Sequence, residues 1–388
     1  MKNGTGSPHA TLANASHALR KSPELRGVLA YDVFSARTMM VSPPPWDTEP
    51  QYFQPRAWTP HDDLLTTEHL QRLGIAVKPI TAAQAVELVG REQSYHPVLG
   101  YLDGLQHDGT ARLENWLTTY LGAEQNQYNR AVGRAMMIAA VARIRDPGCK
   151  VDTAPILEGE QGAMKSTAVK ALFSPWFTDE IADFGSKDAA MQMSGAWGIE
   201  VSELDAMSRM EVAKIKAFIT RTTDRYRPPY GSRIVESDRS CVFWGTTNSD
   251  SYLKDETGGR RFWPIRVGRI DIDGLHKARD QLWAEAQVLY AANVPWWLTK
   301  ADLRKDAEQH QRDRYVGDPW DEPIQSYLAA VNDDVSMEEV MRDALHLDVA
   351  RRSVADQQRV VRCLRSLGYV RVQVRNGDKR AWRYRRTG

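Results

Sequence analysis

The chain has 388 residues, 51 basic against 50 acidic side chains, a formal net charge of +1 and 42% hydrophobic residues. That length and apolar content suit two or three packed domains and exclude intrinsic disorder, collagen-like repeats and low-complexity chains. The most apolar helical stretch, 131–144, carries Arg134 and Arg143 and is too short to cross about 30 Å of hydrocarbon.

The start, MKNGTGSPHA, has no apolar h-region, and Cys149, Cys241 and Cys363 show no CxxC spacing. A cytoplasmic chain with no signal peptide, disulfide scaffold, zinc site or membrane partner is expected. Charge is uneven. Residues 351–388 hold twelve Lys/Arg and two acids (Asp356, Asp378), a net of +10, against 39 basic and 48 acidic groups before them, a net of −9. A basic tail on an acidic body is an electrostatic footprint for a polyanion, most often nucleic acid.

Residues 1–95 read as a helical, loop-rich lead-in, with helix-like pieces at 67–73 and 81–89. From His96 to Pro147 the pattern is helical, with Leu113, Trp116, Leu117 and Tyr120 on one face and a helix over about 128–144. A short strand at 154–157 precedes a glycine loop and a helix that stops near Pro175. A second strand (197–201) leads to a helix with a capping box, Ser208 to Glu211, and a third strand covers 241–246. Strands alternating with helices indicate an α/β core. The polar stretch 305–318 reads as a linker.

Gly159-Glu160-Gln161-Gly162-Ala163-Met164-Lys165-Ser166-Thr167 carries the strongest local signal, at the spacing of GxxxxGK[ST] between a strand and a helix. Glycines let backbone N–H groups point at phosphate oxygens, and the helix N-terminus adds its positive dipole end. Lys165 is placed to meet the β- and γ-phosphates, and the Ser166 hydroxyl to complete a Mg²⁺ shell. Met164 stands where a glycine usually precedes the lysine. Downstream, WGIEVSEL puts Glu200 and Glu203 at the end of an apolar strand. Glu203 is the expected principal catalytic acid and metal partner of Ser166, with Glu200 the less certain one. VFWGTTN ends in Asn248, suited to orienting a lytic water. DETGGRRFWP holds Arg260 and Arg261, either able to act as a finger on transition-state charge, including from a neighbouring subunit. Between these motifs, 220–234 mixes Arg221, Arg225, Tyr226, Arg227 and Tyr230 around Pro228-Pro229, a loop suited to phosphate and base contacts.

These stretches, with Tyr95-His-Pro-Val-Leu-Gly-Tyr-Leu and IKAFITRTTDRYRPPYG, stand in one order over about 95–270 and resemble the virulence-associated protein E family. The family looks like the viral-type superfamily III helicases within the AAA+ ATPases. The resemblance implies an ATP-dependent, Mg²⁺-requiring motor that assembles as a ring, commonly a hexamer, around DNA and serves phage or mobile-element replication. It also implies Lys165 and Ser166 as the Walker A pair, Glu203 as the Walker B acid, Asn248 as sensor 1 and Arg260 or Arg261 as the finger. No paired-acid primase pattern is found in 1–95, so priming is not assigned.

The tail reads as three helices (about 322–331, 336–347 and 353–368) and a hairpin turning at Asn376-Gly377. This is the layout of a winged helix, with Arg359, Arg362, Arg365, Arg371, Arg375 and Arg380 as DNA contacts. The expected fold class is thus α/β: a P-loop AAA+-type ATPase core with a helical N-terminal region and a C-terminal winged helix. The expected divisions are 1–95 (lead-in), 96–150 (helical collar), 151–304 (ATPase core), 305–319 (linker) and 320–388 (winged helix). The functional expectation is a DNA helicase acting on single-stranded or forked DNA in a bacterial host. An ATP-regulated origin-binding initiator without processive unwinding is the second reading. A small-molecule P-loop kinase is disfavoured by the arginines and the basic tail.

Overall fold

The computed structural model describes residues 8–181, 183, 184, 186, 188–227, 233–253, 261–314, 318–331, 334–348, 352–376 and 379–386. In chain order the N-terminal part holds α1 (Leu12–Lys21), β1 (Leu29–Asp32), β2 (Arg37–Met40), β3 (Arg56–Ala57), α2 (Pro60–Arg72), α3 (Pro79–Arg91) and β4 (Ser94–Tyr95). The expectation of a helical, loop-rich lead-in is corrected here, since the segment also holds four short strands. These strands form a four-stranded sheet in the order β3-β2-β1-β4, over which Leu19, Leu70, Val86 and Val89 close a small core. Two strands of four residues and two of two residues are too short to leave a readable alternation.

Three helices follow: α4 (Pro97–Asp103), α5 (Trp116–Leu121) and α6 (Gln127–Arg145). Fourteen of the nineteen residues of α6 are buried. A helix apolar on nearly every side belongs inside a protein, and α6 lies in the core beneath the central sheet.

That sheet is built from β5 (Ala154–Glu158), β6 (Phe177–Thr178), β7 (Gly198–Val201), β10 (Val242–Thr247) and β11 (Phe262–Arg266). Its order is β11-β5-β10-β7-β6, and every pairing is parallel. Between its strands run α7 (Lys165–Phe173), α8 (Ala189–Gln192), α9 (Arg209–Ile219) and an antiparallel hairpin, β8 (Thr223–Tyr226) with β9 (Val235–Asp238). Burial on both faces makes the strands almost wholly apolar. One face packs on α5, α6, α7 and α10 (Ile272–Ala291) through Trp116, Phe173, Trp197, Trp244 and Trp283. The Trp197 and Trp283 rings lie 4.2 Å apart, and each indole N–H finds a backbone carbonyl, at Ala140 and Leu172 respectively. Phe173 presses so closely on Gly198 that an added Cβ would lie 2.2 Å from its ring. The other face meets Val212, Ile215, Phe218 and Ile219 of α9, whose start carries the Ser208–Glu211 capping box.

The expected linker at 305–319 is also corrected. It lies largely in α11 (Ala301–Asp313), which buries Ala307 and Gln311 and bonds the Phe262 carbonyl through the Gln311 amide. Only that narrow stripe is buried, so the sequence reads as polar throughout.

The C-terminal part has α12 (Asp321–Ala330), α13 (Met337–Glu339) running on as a π-turn at Val340–Ala344, and α14 (Val354–Ser366). A hairpin of β12 (Tyr369–Asn376) and β13 (Lys379–Arg386) ends it. Val360, Leu364, Ile324, Val340 and Tyr384 close its core. No helix among the described residues is long and apolar enough to cross a membrane.

Candidate nucleotide site

The parallel order brings three strand ends to one place. β5, β10 and β7 are neighbours, and each points its C-terminus the same way. In an open parallel sheet, the crevice beyond the carboxyl ends is where ligands bind. Here it is a hollow of about 430 Å³ lined by Gln161 to Thr167, Ser202, Glu203 and Thr246 to Asn248.

The 159–167 loop leaves β5 and opens α7. Gly162 takes φ +84°, a region glycine reaches freely. Met164, at the N-cap of α7, also takes the left-handed conformation, φ 61° and ψ 28°. The backbone therefore holds at Met164 the shape for which glycine is the unstrained residue.

Lys165 is nearly buried, 7% exposed. Its ammonium donates to the carbonyls of Gly159 and Glu160 at 2.8 Å each and to Asn248 Oδ1 at 2.9 Å. Burial lowers its pKa below the usual lysine value, and the Asp205 and Glu200 carboxylates oppose that shift.

The Ser166 hydroxyl donates to Glu200 Oε1 at 2.6 Å, and the Thr246 hydroxyl donates to the same oxygen at 2.6 Å. Glu200 is 2% exposed on β7, an interior strand of the sheet. Its second oxygen, Oε2, is buried without a hydrogen-bond partner. A buried carboxylate oxygen left so is costly, and a hard cation beside a serine hydroxyl would satisfy it. The residues present thus fit a Mg²⁺ ion, with Glu200 rather than Glu203 as the carboxylate on Ser166.

Glu203 lies past the strand end, at φ +54°, on the wall of the hollow. It also borders an acidic recess with Asp179, Glu180 and Glu211. Asp205, unmarked in the sequence reading, accepts from the Thr247 hydroxyl at 2.6 Å. Thr246 and Thr247 belong to the same VFWGTTN stretch as Asn248. Their pattern was visible, but only the fold reveals which carboxylates they meet.

Arg260 lies outside the described residues. Arg261 immediately precedes β11, which runs alongside β5 with Phe262 opposite Ala154. It therefore sits at the sheet edge opposite the 159–167 loop, roughly 16 Å away along the five residues of β5. Arg261 lines a recess there with Lys150, Trp297 and Arg304, and its Nε is buried without a partner.

The remaining arginines divide. Arg225 pairs across the β8–β9 hairpin with Glu236 at 3.0 Å, and Arg227 follows β8 on an exposed stretch. Residues 228–232 lie outside the described residues. Arg359, expected as a DNA contact, is instead turned onto its own unit. It chelates Asp318, 2.6 Å at the shortest, and lies 4.1 Å over the Trp320 ring. Arg383 and Arg385 are similarly held by Glu339 and Asp334. Arg362, Arg365, Arg371 and Arg375 are exposed; the Arg380 side chain lies outside the described residues. Residues 318–350 carry nine acids and one arginine, so 318–388 has 13 basic and 11 acidic groups, a net of +2. The +10 of the tail is largely offset by the acids of its own folded unit.

Comparison with known proteins matches residues 102–316 to the virulence-associated protein E-like domain. Among solved structures, the apo C-terminal region of NrS-1 (305–718) matches at 13% identity, with 93% of this chain and 96% of that one covered and a TM-score of 0.47. An A-form apo structure of the same region matches at 12% identity, with the same coverage and a TM-score of 0.49. No curated protein matches the sequence.

Proposed function

The chain belongs to the virulence-associated protein E-like family, and from that premise we propose that it is an ATP-dependent DNA helicase serving phage or mobile-element replication. The observation that carries the reading is the convergence of Lys165, Ser166 and Asn248 on one hollow at the carboxyl edge of the parallel sheet, with buried Glu200 bonded to Ser166.

In this reading the core is a P-loop ATPase of AAA+ type. Backbone N–H groups of 161–166 bind the nucleotide's phosphates, and Lys165 exchanges its carbonyl partners for phosphate oxygens. Glu200 and Ser166 would hold Mg²⁺, which would supply charge neutralisation for the nucleotide's phosphates. Glu203, on the open wall, accepts a proton from the attacking water, and Asn248 orients that water. Arg261, at the opposite edge of the sheet, cannot reach the same chain's loop. It serves instead as the finger for a neighbouring subunit in a ring, commonly a hexamer.

The C-terminal part acts as a winged helix, with Arg362, Arg365, Arg371 and Arg375 meeting DNA. The β8–β9 hairpin, inserted between the Glu200 strand and the Asn248 strand, is the element through which nucleotide chemistry moves DNA.

Strand displacement on a forked duplex with ATP and Mg²⁺, comparing the wild type with Lys165→Ala, tests the proposal. Unwinding that disappears in the variant supports it. ATP hydrolysis and DNA binding without strand release would replace it with the initiator reading.

A further inference from the structure

Alternation along the C-terminal hairpin singles out one residue. Tyr384 and Trp382 are two apart on β13 and share a face. Tyr384 is 2% exposed in the core of the unit, whereas Trp382 is 50% exposed. The hairpin face that covers the helices therefore runs past them and carries an indole into solvent. Arg371, cross-strand partner of Tyr384, lies 4.2 Å from the Trp382 ring centroid. Arg375, four residues beyond Arg371 toward the turn and on the same face, is exposed.

We propose that Trp382 is a stacking platform for an unpaired nucleobase, with Arg371 and Arg375 meeting the flanking phosphates. This rests on the DNA reading above and narrows it to single-stranded character at the hairpin. Three features carry it. A large aromatic left half exposed is unusual on a surface otherwise rich in arginine. Arg371 braces the ring from one side, which limits the rotamer freedom lost on binding. Indole-on-base stacking tolerates any base, and neighbouring cations supply backbone affinity. A site reading only duplex grooves has no use for such a ring.

The test is binding of the full-length chain to labelled single-stranded, forked and fully duplex DNA of one length, followed by fluorescence anisotropy. The variants are Trp382→Leu and Trp382→Phe. Leucine keeps apolar bulk beside Arg371 but removes the stacking face. It is expected to weaken single-stranded and forked binding at least about fivefold and leave duplex binding within about twofold. Phenylalanine restores most of the loss. Equal weakening on all three DNAs, or no change on any, overturns the platform while the wild type's DNA binding stands. A wild type that binds none of the three overturns the DNA reading itself. If the leucine variant fails to fold, Trp382→Thr, which suits a strand and carries no ring, takes its place: selective loss of single-stranded and forked binding supports the platform, and equal weakening or no change on the three DNAs overturns it.

Discussion

Arg314 closes on Glu158 through two charge-assisted hydrogen bonds, 2.7 Å from Nε to Oε1 and 2.8 Å from Nη2 to Oε2. Glu158 is the last residue of β5, directly before the phosphate loop, and is 1% exposed. The Tyr252 hydroxyl donates to the same carboxylate at 2.8 Å. The Arg314 carbonyl in turn accepts the Tyr252 and Leu253 amides. The end of α11 is thereby tied both to the strand that carries the phosphate loop and to the segment following Asn248.

Breaking that pair from one side leaves a buried charge uncompensated. Arg314→Met is expected to cost about 3–5 kcal/mol, read as a shift in denaturant midpoint at unchanged slope. Adding Glu158→Gln to it should recover part of the loss, because the orphaned carboxylate is then gone. A double variant no more stable than the single one would contradict this.

Glu200 and Glu203 occupy different surroundings and should fail differently. Glu200→Gln disturbs the carboxylate on Ser166, so it should weaken Mg²⁺-dependent nucleotide binding as well as hydrolysis. Glu203→Gln should leave nucleotide affinity near wild type and lower turnover about 10²-fold or more. ATP hydrolysis alongside nucleotide binding by calorimetry separates the two. Unchanged turnover in Glu203→Gln would remove it from the chemistry.

Met164→Gly should stabilise the chain by about 1 kcal/mol, because a left-handed backbone is strained for methionine and free for glycine. Met164 is 48% exposed, so little packing is lost. A melting temperature that falls would show that its side chain contributes more than its backbone costs.

The lowered pKa of Lys165 has a sign that can be checked. Its burial favours the neutral amine, so deprotonation begins at a lower pH than for a free lysine. Phosphate needs the ammonium. ATP affinity should therefore fall as pH rises through that lowered pKa, before ordinary lysines titrate. The fall should be absent in Lys165→Arg, whose guanidinium stays charged. Binding titrations from neutral to alkaline pH give the answer.

Arg359 and Arg362 are three residues apart on α14 but predict opposite phenotypes. Arg359→Ala removes the guanidinium from Asp318, which keeps the Trp320 amide, and should cost stability, about 1 kcal/mol, with little loss of DNA affinity. Arg362→Ala should leave stability unchanged and lower the salt dependence of DNA binding by about one counterion. Matched melting curves and salt titrations discriminate them.

How much of this was legible beforehand depended on the range of the interaction. The parallel α/β core could be read because its strands are short apolar runs bounded by glycine loops and capped helices. Strand ends shifted by only a residue, from 154–157 to Ala154–Glu158 and from 241–246 to Val242–Thr247. The 159–167 loop between strand and helix, the Ser208 capping box and the β12–β13 hairpin are local patterns with local causes, and the chain order alone carries them. The N-terminal sheet was hidden because strands of two to four residues leave no period. Helix α11 was hidden because it buries only a thin stripe.

Partner choice was not local at all. Glu200 meets Ser166 across 34 positions, Arg314 meets Glu158 across 156, and Arg359 turns back to Asp318 across 41. Spacing along the chain names the residue types able to do chemistry. Which carboxylate receives which hydroxyl or guanidinium is decided by sheet order and packing, because hydrogen bonds and desolvation act only over a few ångströms in space.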